Sequence, residues 1–137
     1  MTMDAVKMRE FGARYAAAWS SQDPARVAEF FSPQGTLRVN QAAPAVGTEA
    51  IRAVALSFMT AFPDMQVLMD DLVVRGEGAD FHWTLIGTNT GPGGTGKRIR
   101  ISGYEEWQFG ADGLVARSLG HFDEAEYQRQ LEHGCGE

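Results

Sequence analysis

Three ionisable side chains stand at positions where they could exchange protons with a ligand: Glu105, His121 and Asp123. His121 and Asp123 lie in DGLVARSLGHFDEAEYQRQL, residues 112–131, a segment that reads as a turn, a strand and a helix. Both residues fall where the strand ends and the helix begins. An imidazole and a carboxylate can together hold one proton near neutral pH, as general acid–base catalysis requires. The segment therefore predicts a proton-transfer pair at one end of a sheet.

Asp123 also has a structural explanation. It occupies the N-cap position of the last predicted helix, and Glu126 follows three residues later, as in a capping box. A capping carboxylate can still face a cavity, so both roles stay open. Strict alternation puts His121 and Asp123 on one side of the last strand with Val115, Arg117 and Leu119. The opposite side, which would permit sheet-on-sheet contact with a second subunit, carries Ala116, Ser118, Gly120 and Phe122.

Glu105 is the anomaly of the preceding strand, residues 97–109. Alternation places it on the face that also carries Ile99, Ile101, Gly103, Trp107 and Phe109. A buried carboxylate without a partner has a raised pKa, so such a residue is usually paired or functional. A bulge at Gly103 would instead turn Glu105 out to solvent, and the sequence leaves this alternative open.

The pattern of apolar residues predicts the elements that position these groups. Periods of three and four residues indicate helices, alternation indicates strands, and Gly, Pro and Asp mark the turns between them. Helices are predicted over 4–22, 24–31 and 47–62, with a closing helix from Asp123. Strands are predicted over 35–40, 65–75, 81–90, 97–109 and 114–122. This order predicts an α+β fold with helices packed on one face of a curved sheet.

Composition limits the partners of the chain. The 137 residues predict one domain, 1–137, with a core at 4–132 and a frayed tail at 133–137. A net charge of -6 argues against binding to nucleic acid or to anionic membranes. A single cysteine excludes an internal disulfide, and the three histidines are too scattered to predict a metal site. The absence of a signal-type segment and of any 18-residue apolar run predicts a cytoplasmic location.

Four segments together resemble the SnoaL-like polyketide cyclase family, within the superfamily that shares the nuclear-transport-factor-2 fold: YAAAWSSQDPARVAEFFSPQGTL, VGTEAIRAVALSFMTAFPDMQV, WTLIGTNTGP and DGLVARSLGHFDEAEYQRQL. The resemblance implies a cone-shaped α+β barrel. Three N-terminal helices would pack on a strongly curved, mixed and mainly antiparallel sheet around an apolar pocket, often in a homodimer. It also implies cofactor-free aldol chemistry by a pocket acid, for which Asp123 matches the motif. Asn40 and Leu119 stand where members commonly carry His and Trp.

These observations favour an enzyme that takes a proton from the carbon next to a carbonyl, with Asp123 or Glu105 as base and His121 as proton partner. Residues expected to contact an apolar, ring-containing substrate are Tyr15, Trp19, Phe31, Asn40, Phe58, Phe62, Trp83, Trp107 and Leu119. We expect no metal and no cofactor, and a homodimer formed through the outer face of the sheet. One alternative is an epoxide hydrolase that uses Arg117 with Asp123 and Glu105. Another is a small-molecule binding or carrier protein without catalysis.

Overall fold

A computed structural model describes residues 4–136 of the chain. It contains four helices and a single six-stranded sheet, so the predicted α+β class is confirmed. The elements, in chain order, are α1 Ala5–Ser20, α2 Pro24–Ala28, β1 Phe31–Val39, β2 Ala45–Val46, α3 Thr48–Ala61, β3 Gln66–Arg75, β4 Gly78–Thr88, β5 Arg98–Phe109, β6 Val115–Phe122 and α4 Glu124–His133.

Three of the four described helices, all except α3, begin where an aspartate side chain accepts from a free backbone N–H group. Asp4 accepts from Lys7 N at the start of α1, and Asp23 accepts from Ala25 N at the start of α2. The buried side chains of α1 recur every three or four residues and pack against β3 and β4. This stripe brings Tyr15 and Trp19 into the core of the cone.

The strands are arranged in the order β2-β1-β6-β5-β4-β3, and the sheet is not closed. The pairing of β1 with β6 is parallel, while the other pairings are antiparallel. This is the predicted mixed, mainly antiparallel sheet. The inner face of β5 carries Ile99, Ile101, Glu105 and Trp107, all buried. The registers of β5 with β4 and β6 are continuous at Gly103, so the alternative bulge at this residue is absent.

A bulge lies instead in β6, where no residue pattern indicates one. Val115 pairs with Phe109, but Arg117 pairs with Gln108, so Ala116 is an extra residue. An extra residue moves every later side chain to the opposite face. The predicted orientation of β6 is therefore wrong after Val115: Ser118 and Gly120 face the interior, and Arg117 and Leu119 face outward.

Two boundaries also differ from the prediction. The segment predicted as a loop after the first strand contains β2, a short edge strand whose Ala45 pairs with Leu37. β1 begins at Phe31 rather than at residue 35, because the shorter α2 ends at Ala28. Its pairing with β6 is irregular between Phe31 and Thr36.

The closing helix α4 is held against the free edge of β5. The side chain of Gln130 accepts from Arg100 N at 2.7 Å and donates to Arg100 O at 3.1 Å. The helix thus continues the edge of the sheet beyond the end of β6. Its last residue is His133, and Cys135 N donates to Arg98 O; residue 137 of the predicted tail lies outside the described residues. None of the described helices is long and apolar enough to cross a membrane.

Candidate functional site

An apolar cavity of about 60 Å³ lies between α1, α3, α4 and the inner face of the sheet. We call it the inner cavity. Its walls are almost wholly hydrocarbon and aromatic, and Glu105 is the charged residue among them. The lining residues on the helices are Trp19, Phe58 and Tyr127; those on the strands are Leu37, Val39, Val67, Phe81, Trp83, Leu85, Ile101, Glu105, Gly120 and Phe122.

Three elements converge on the carboxylate of Glu105, which is 7% exposed. Its Oε1 accepts from the Tyr15 hydroxyl at 3.0 Å, from Trp107 Nε1 at 3.0 Å and from the Ser118 hydroxyl at 2.7 Å. Oε2 receives only a longer contact from Tyr15, at 3.3 Å. One oxygen is therefore saturated, while the other keeps lone pairs that can bind a proton.

Burial raises the pKa of Glu105 above its ordinary value of 4.5, because the charged form loses its hydration. The hydrogen bonds from Ser118, Trp107 and Tyr15 oppose this rise. No basic side chain among the described residues forms an ion pair with Glu105. A carboxylate in this setting holds its proton more tightly than an exposed one and can return it to a bound molecule.

Tyr15 stays a neutral hydrogen-bond donor. Burial and the negative charge of Glu105 raise its pKa well above 10.0. The rings of Tyr15 and Trp19 pack edge to face, with 6.3 Å between their centroids. Yet Trp19 Nε1 is buried and has no hydrogen bond of acceptable geometry within the described residues. The Trp19 side chain lines the inner cavity, but Nε1 itself has almost no exposed surface.

A second, open depression of about 460 Å³ adjoins the inner cavity. We call it the outer depression. Both are lined by Val39, Phe58, Phe122 and Tyr127, so the two spaces are adjacent. The remaining residues of the outer depression are Asn40, Gln41, Ala42, Ser57, Ala61 and Glu124.

The residues expected to contact a substrate fall into three groups. Trp19, Phe58 and Trp83 line the inner cavity, and Asn40 lines the outer depression. Tyr15 and Trp107 lie behind the wall and hydrogen-bond Glu105. The residues that line neither space are Phe31 and Phe62, which are buried in the core, and Leu119, which the β6 bulge directs outward.

His121 and Asp123 are not brought together. Asp123 is exposed, lines neither space, and accepts from Glu126 N as the cap of α4. His121 lies on the outer face, where its Nε2 is 2.6 Å from Glu106 Oε2. The expected position of Asp123 at the pocket is therefore wrong, because the β6 bulge reverses the side on which the strand presents its residues. Arg117 is exposed on the outer face as well, so the epoxide-hydrolase set is not assembled.

Ser118 is the residue of the site that sequence reasoning missed. Its hydroxyl makes the shortest of the hydrogen bonds to Glu105, and it is fully buried. Sequence reasoning also missed Tyr127, which lines the inner cavity. It lies four residues after Asp123, about one helical turn into α4, and its ring packs on Phe122 of the sheet. Only the bulge at Ala116 places Ser118 inside, and no residue type in that stretch signals it.

Comparisons with known proteins agree with this fold. A model of the SnoaL-like domain matches residues 13–118. No curated protein matches the chain. Among solved structures, TsrD from Streptomyces laurentii superposes with a TM-score of 0.80 at 23% identity, over 94% of this chain and 97% of its own. A protein from Jannaschia sp. CCS1 described as a SnoaL-like polyketide cyclase superposes with a TM-score of 0.81 at 17% identity, over 96% and 97%.

At these identities the superpositions support the fold alone. The match to the SnoaL-like domain extends from α1 to Ser118 and so includes Tyr15, Glu105 and Trp107. It therefore spans most of the elements that build the inner cavity, but not α4 or the end of β6. The chain belongs to the family of SnoaL-like domains.

Proposed function

We propose that the protein is an acid–base enzyme that acts on a small carbonyl compound, with Glu105 as the group that takes and returns the proton. The proposal departs from the sequence-based preference for Asp123, which lies exposed at the start of α4. It rests mainly on the surroundings of the Glu105 carboxylate. This group lines an apolar cavity, has no cationic partner among the described residues, and keeps one oxygen almost free.

The chemistry follows from these positions. The ionised form of Glu105 takes a proton from the carbon next to the carbonyl, through Oε2. The electrons of the broken C–H bond form a C=C bond, and the carbonyl π electrons move to oxygen to give an enolate.

The proton on Glu105 can then leave in two ways. If the substrate has a C=C bond next to the carbon that lost the proton, the enolate is a dienolate, and return of the proton to its far carbon completes an isomerisation that shifts the C=C bond into conjugation with the carbonyl. If the enolate carbon instead attacks a second carbonyl of the same molecule, a C–C bond forms and the proton moves to the new alkoxide, which completes an aldol cyclisation. Family membership favours the second course, since the Jannaschia protein is described as a polyketide cyclase.

The test is exchange of the protons next to the carbonyl of a simple methyl ketone in D₂O, followed by NMR. We expect the wild-type protein to accelerate this exchange and Glu105→Gln to lose at least a hundredfold, because general bases typically contribute that much. Glu106→Gln is the matched control: this neighbouring carboxylate is exposed on the outer face of the same strand. It should leave the exchange rate unchanged.

The variants Glu105→Gln and Asp123→Asn together decide between the two candidate bases. Loss of exchange in Asp123→Asn with normal exchange in Glu105→Gln would assign the base to Asp123 and contradict the proposal. No acceleration by the wild-type protein with several ketones would favour the alternative, a binding or carrier protein. In that case the apolar walls would hold a ligand that is released unchanged.

Two further expectations stay proposals. A homodimer through the outer face of the sheet is supported by half-buried side chains there: His82 stacks on Tyr104 at 5.5 Å, and Tyr104 packs on His121 at 4.8 Å between ring centroids. A cytoplasmic location is the second of these proposals; it follows from the sequence and not from the fold.

A further inference from the structure

Side chains occupy only some of the positions around Glu105 on the inner face of the sheet. The closest neighbours on a sheet face are the partners in adjacent strands and the residues two apart in the same strand. The partner of Glu105 on β4 is Phe81, which stacks on Trp107 with 4.9 Å between the ring centroids. Trp107 and Ser118 both donate to Glu105 Oε1. Three positions beside Glu105 therefore carry side chains.

Two other positions beside Glu105 are glycines. Gly103 precedes Glu105 by two residues on β5, and Gly120 is the partner of Glu105 on β6. A Cβ on Gly103 would collide with His121 O and would lie 2.7 Å from the ring of Trp83. The space over Gly103 is thus already filled, and close packing explains why this residue is a glycine.

Gly120 has no such explanation. A Cβ at this position would lie 3.3 Å from Arg38 O, 3.8 Å from Glu105 Cγ and 3.9 Å from Val39 Cα. The first distance is short by only a few tenths of an ångström, and the other two are ordinary van der Waals contacts. Gly120 also lacks the positive φ that favours glycine. Since Gly120 lines the inner cavity, the place of its missing side chain is open to a ligand.

We infer that Gly120 is a specificity-determining residue: the group attached to the reacting carbon of the substrate packs against Gly120, in the place that a side chain would occupy. A side chain here would stand directly opposite Glu105 on the same face and would cover it. The inference rests on the proposed function and narrows its substrate class. It selects ketones whose reacting carbon carries a further group, such as a CH₂ of a ring, over those that react at a bare methyl.

The first experiment compares proton exchange of cyclohexanone and acetone in D₂O, because cyclohexanone reacts at a ring carbon and acetone at a methyl group. The wild-type protein should accelerate both. In Gly120→Ala the ratio of the two rates, cyclohexanone over acetone, should fall about tenfold or more, since one extra carbon in an apolar pocket changes discrimination by roughly this factor. The ratio cancels the intrinsic acidities of the two ketones.

Arg117→Ala is the control variant. It removes an exposed side chain from the outer face of the same strand, so the ratio should stay that of the wild type. The melting transition of each variant shows whether it is folded. Exchange of acetone but not of cyclohexanone by the wild-type protein would overturn the inference, as would an unchanged ratio in a folded Gly120→Ala.

The second experiment locates the ketone without any substitution, and it decides the question if Gly120→Ala does not fold. It records intermolecular nuclear Overhauser effects between cyclohexanone and the wild-type protein. We expect contacts from the ring protons to the two α protons of Gly120. Contacts confined to residues of the outer depression, such as Gln41 and Ser57, would overturn the inference.

The two experiments separate this inference from the proposed function. If the ring contacts Gly120 but neither ketone exchanges faster than in buffer, the proposed function fails and the assigned place of the ligand is kept. If exchange depends on Glu105 but the ratio is the same in a folded Gly120→Ala, the proposed function is kept and the role of Gly120 fails.

Discussion

The surroundings of the Glu105 carboxylate suit proton transfer better than they suit a stabilising role. Its charge is removed from water without an opposing charge, and three neutral donors from α1, β5 and β6 hold it in place. Neutral donors offset only part of the lost hydration, so the pKa of Glu105 rises. A carboxylate kept for stability alone would be replaceable by an apolar side chain. The arrangement is the one expected of an acid that must give up and recover a proton.

The pH dependence of stability follows from this rise. Folded Glu105 binds its proton more tightly than the unfolded chain does, so the folded state carries more protons between pH 4.5 and its raised pKa. Its contribution to the free energy of unfolding is therefore intact below pH 4.5 and falls as pH rises through the raised pKa. The loss is about 1.4 kcal/mol for each unit of the rise.

Glu105→Gln removes this dependence, because the amide does not ionise. We expect the variant to gain stability relative to the wild type as pH rises above 4.5, until the difference becomes constant above the raised pKa. Urea unfolding at several pH values measures it, and the comparison cancels the other titrating groups. A difference that does not change with pH would mean that Glu105 titrates normally.

At the scale of elements, the ends of β1 and β6 position residues that line the inner cavity and the outer depression. The residue after β1, Asn40, has φ at 51°, in the left-handed region that few residues other than glycine adopt readily. Its Oδ1 accepts from Phe122 N at 2.9 Å, and its own N–H donates to Gly120 O. Asn40 thus joins the two parallel strands at the wall of the outer depression.

Two substitutions separate the backbone contribution of Asn40 from its hydrogen bond. Both Asn40→Gly and Asn40→Ala lose the side-chain bond to Phe122, but only glycine adopts a positive φ without strain. We expect Asn40→Ala to be less stable than Asn40→Gly by about 1 kcal/mol in urea unfolding. Equal stabilities would mean that the strand end relaxes to another conformation.

Sequence patterns could predict the elements with long periodic runs. α1, α3 and β3 to β6 appear close to their predicted bounds, and the inward direction of Glu105 follows from plain alternation along β5. The site was harder to predict because its partners come from distant elements. Ser118 reaches Glu105 only because Ala116 bulges, and β2 is too short to carry a pattern. The same bulge removes His121 and Leu119 from the interior.

At the scale of the whole molecule, the two faces of the sheet differ in the side chains that they carry and in what these side chains contact. The inner face and the helices enclose the cavity, while the outer face carries imidazole and aromatic groups of β4, β5 and β6 in contact with one another. Half-buried groups of this kind on an open sheet are typical of a surface that meets a partner. We therefore propose the outer face as the contact surface of a homodimer.

Leu119 tests this contact, because it lies half-buried on the outer face, away from the inner cavity. We expect the wild-type protein to sediment with twice the chain mass and Leu119→Glu to sediment as a folded monomer. Burial of a carboxylate without a partner is strongly unfavourable in an interface. Arg52→Glu, on the exposed side of α3, serves as the charge control and should stay dimeric. A wild-type monomer would rule out the proposed dimer.

The central claim is that the apolar cavity makes Glu105 retain its proton above the range of an ordinary carboxyl group. A ¹³C NMR titration of the glutamate side-chain carboxyl carbons measures this directly, with the Glu105 signal assigned by its absence in Glu105→Gln. We expect a midpoint above 4.5. A midpoint at or below 4.5 would show that the hydrogen bonds from Ser118, Trp107 and Tyr15 outweigh burial. Glu105 would then be a fixed structural anion, which contradicts its proposed role as the proton carrier.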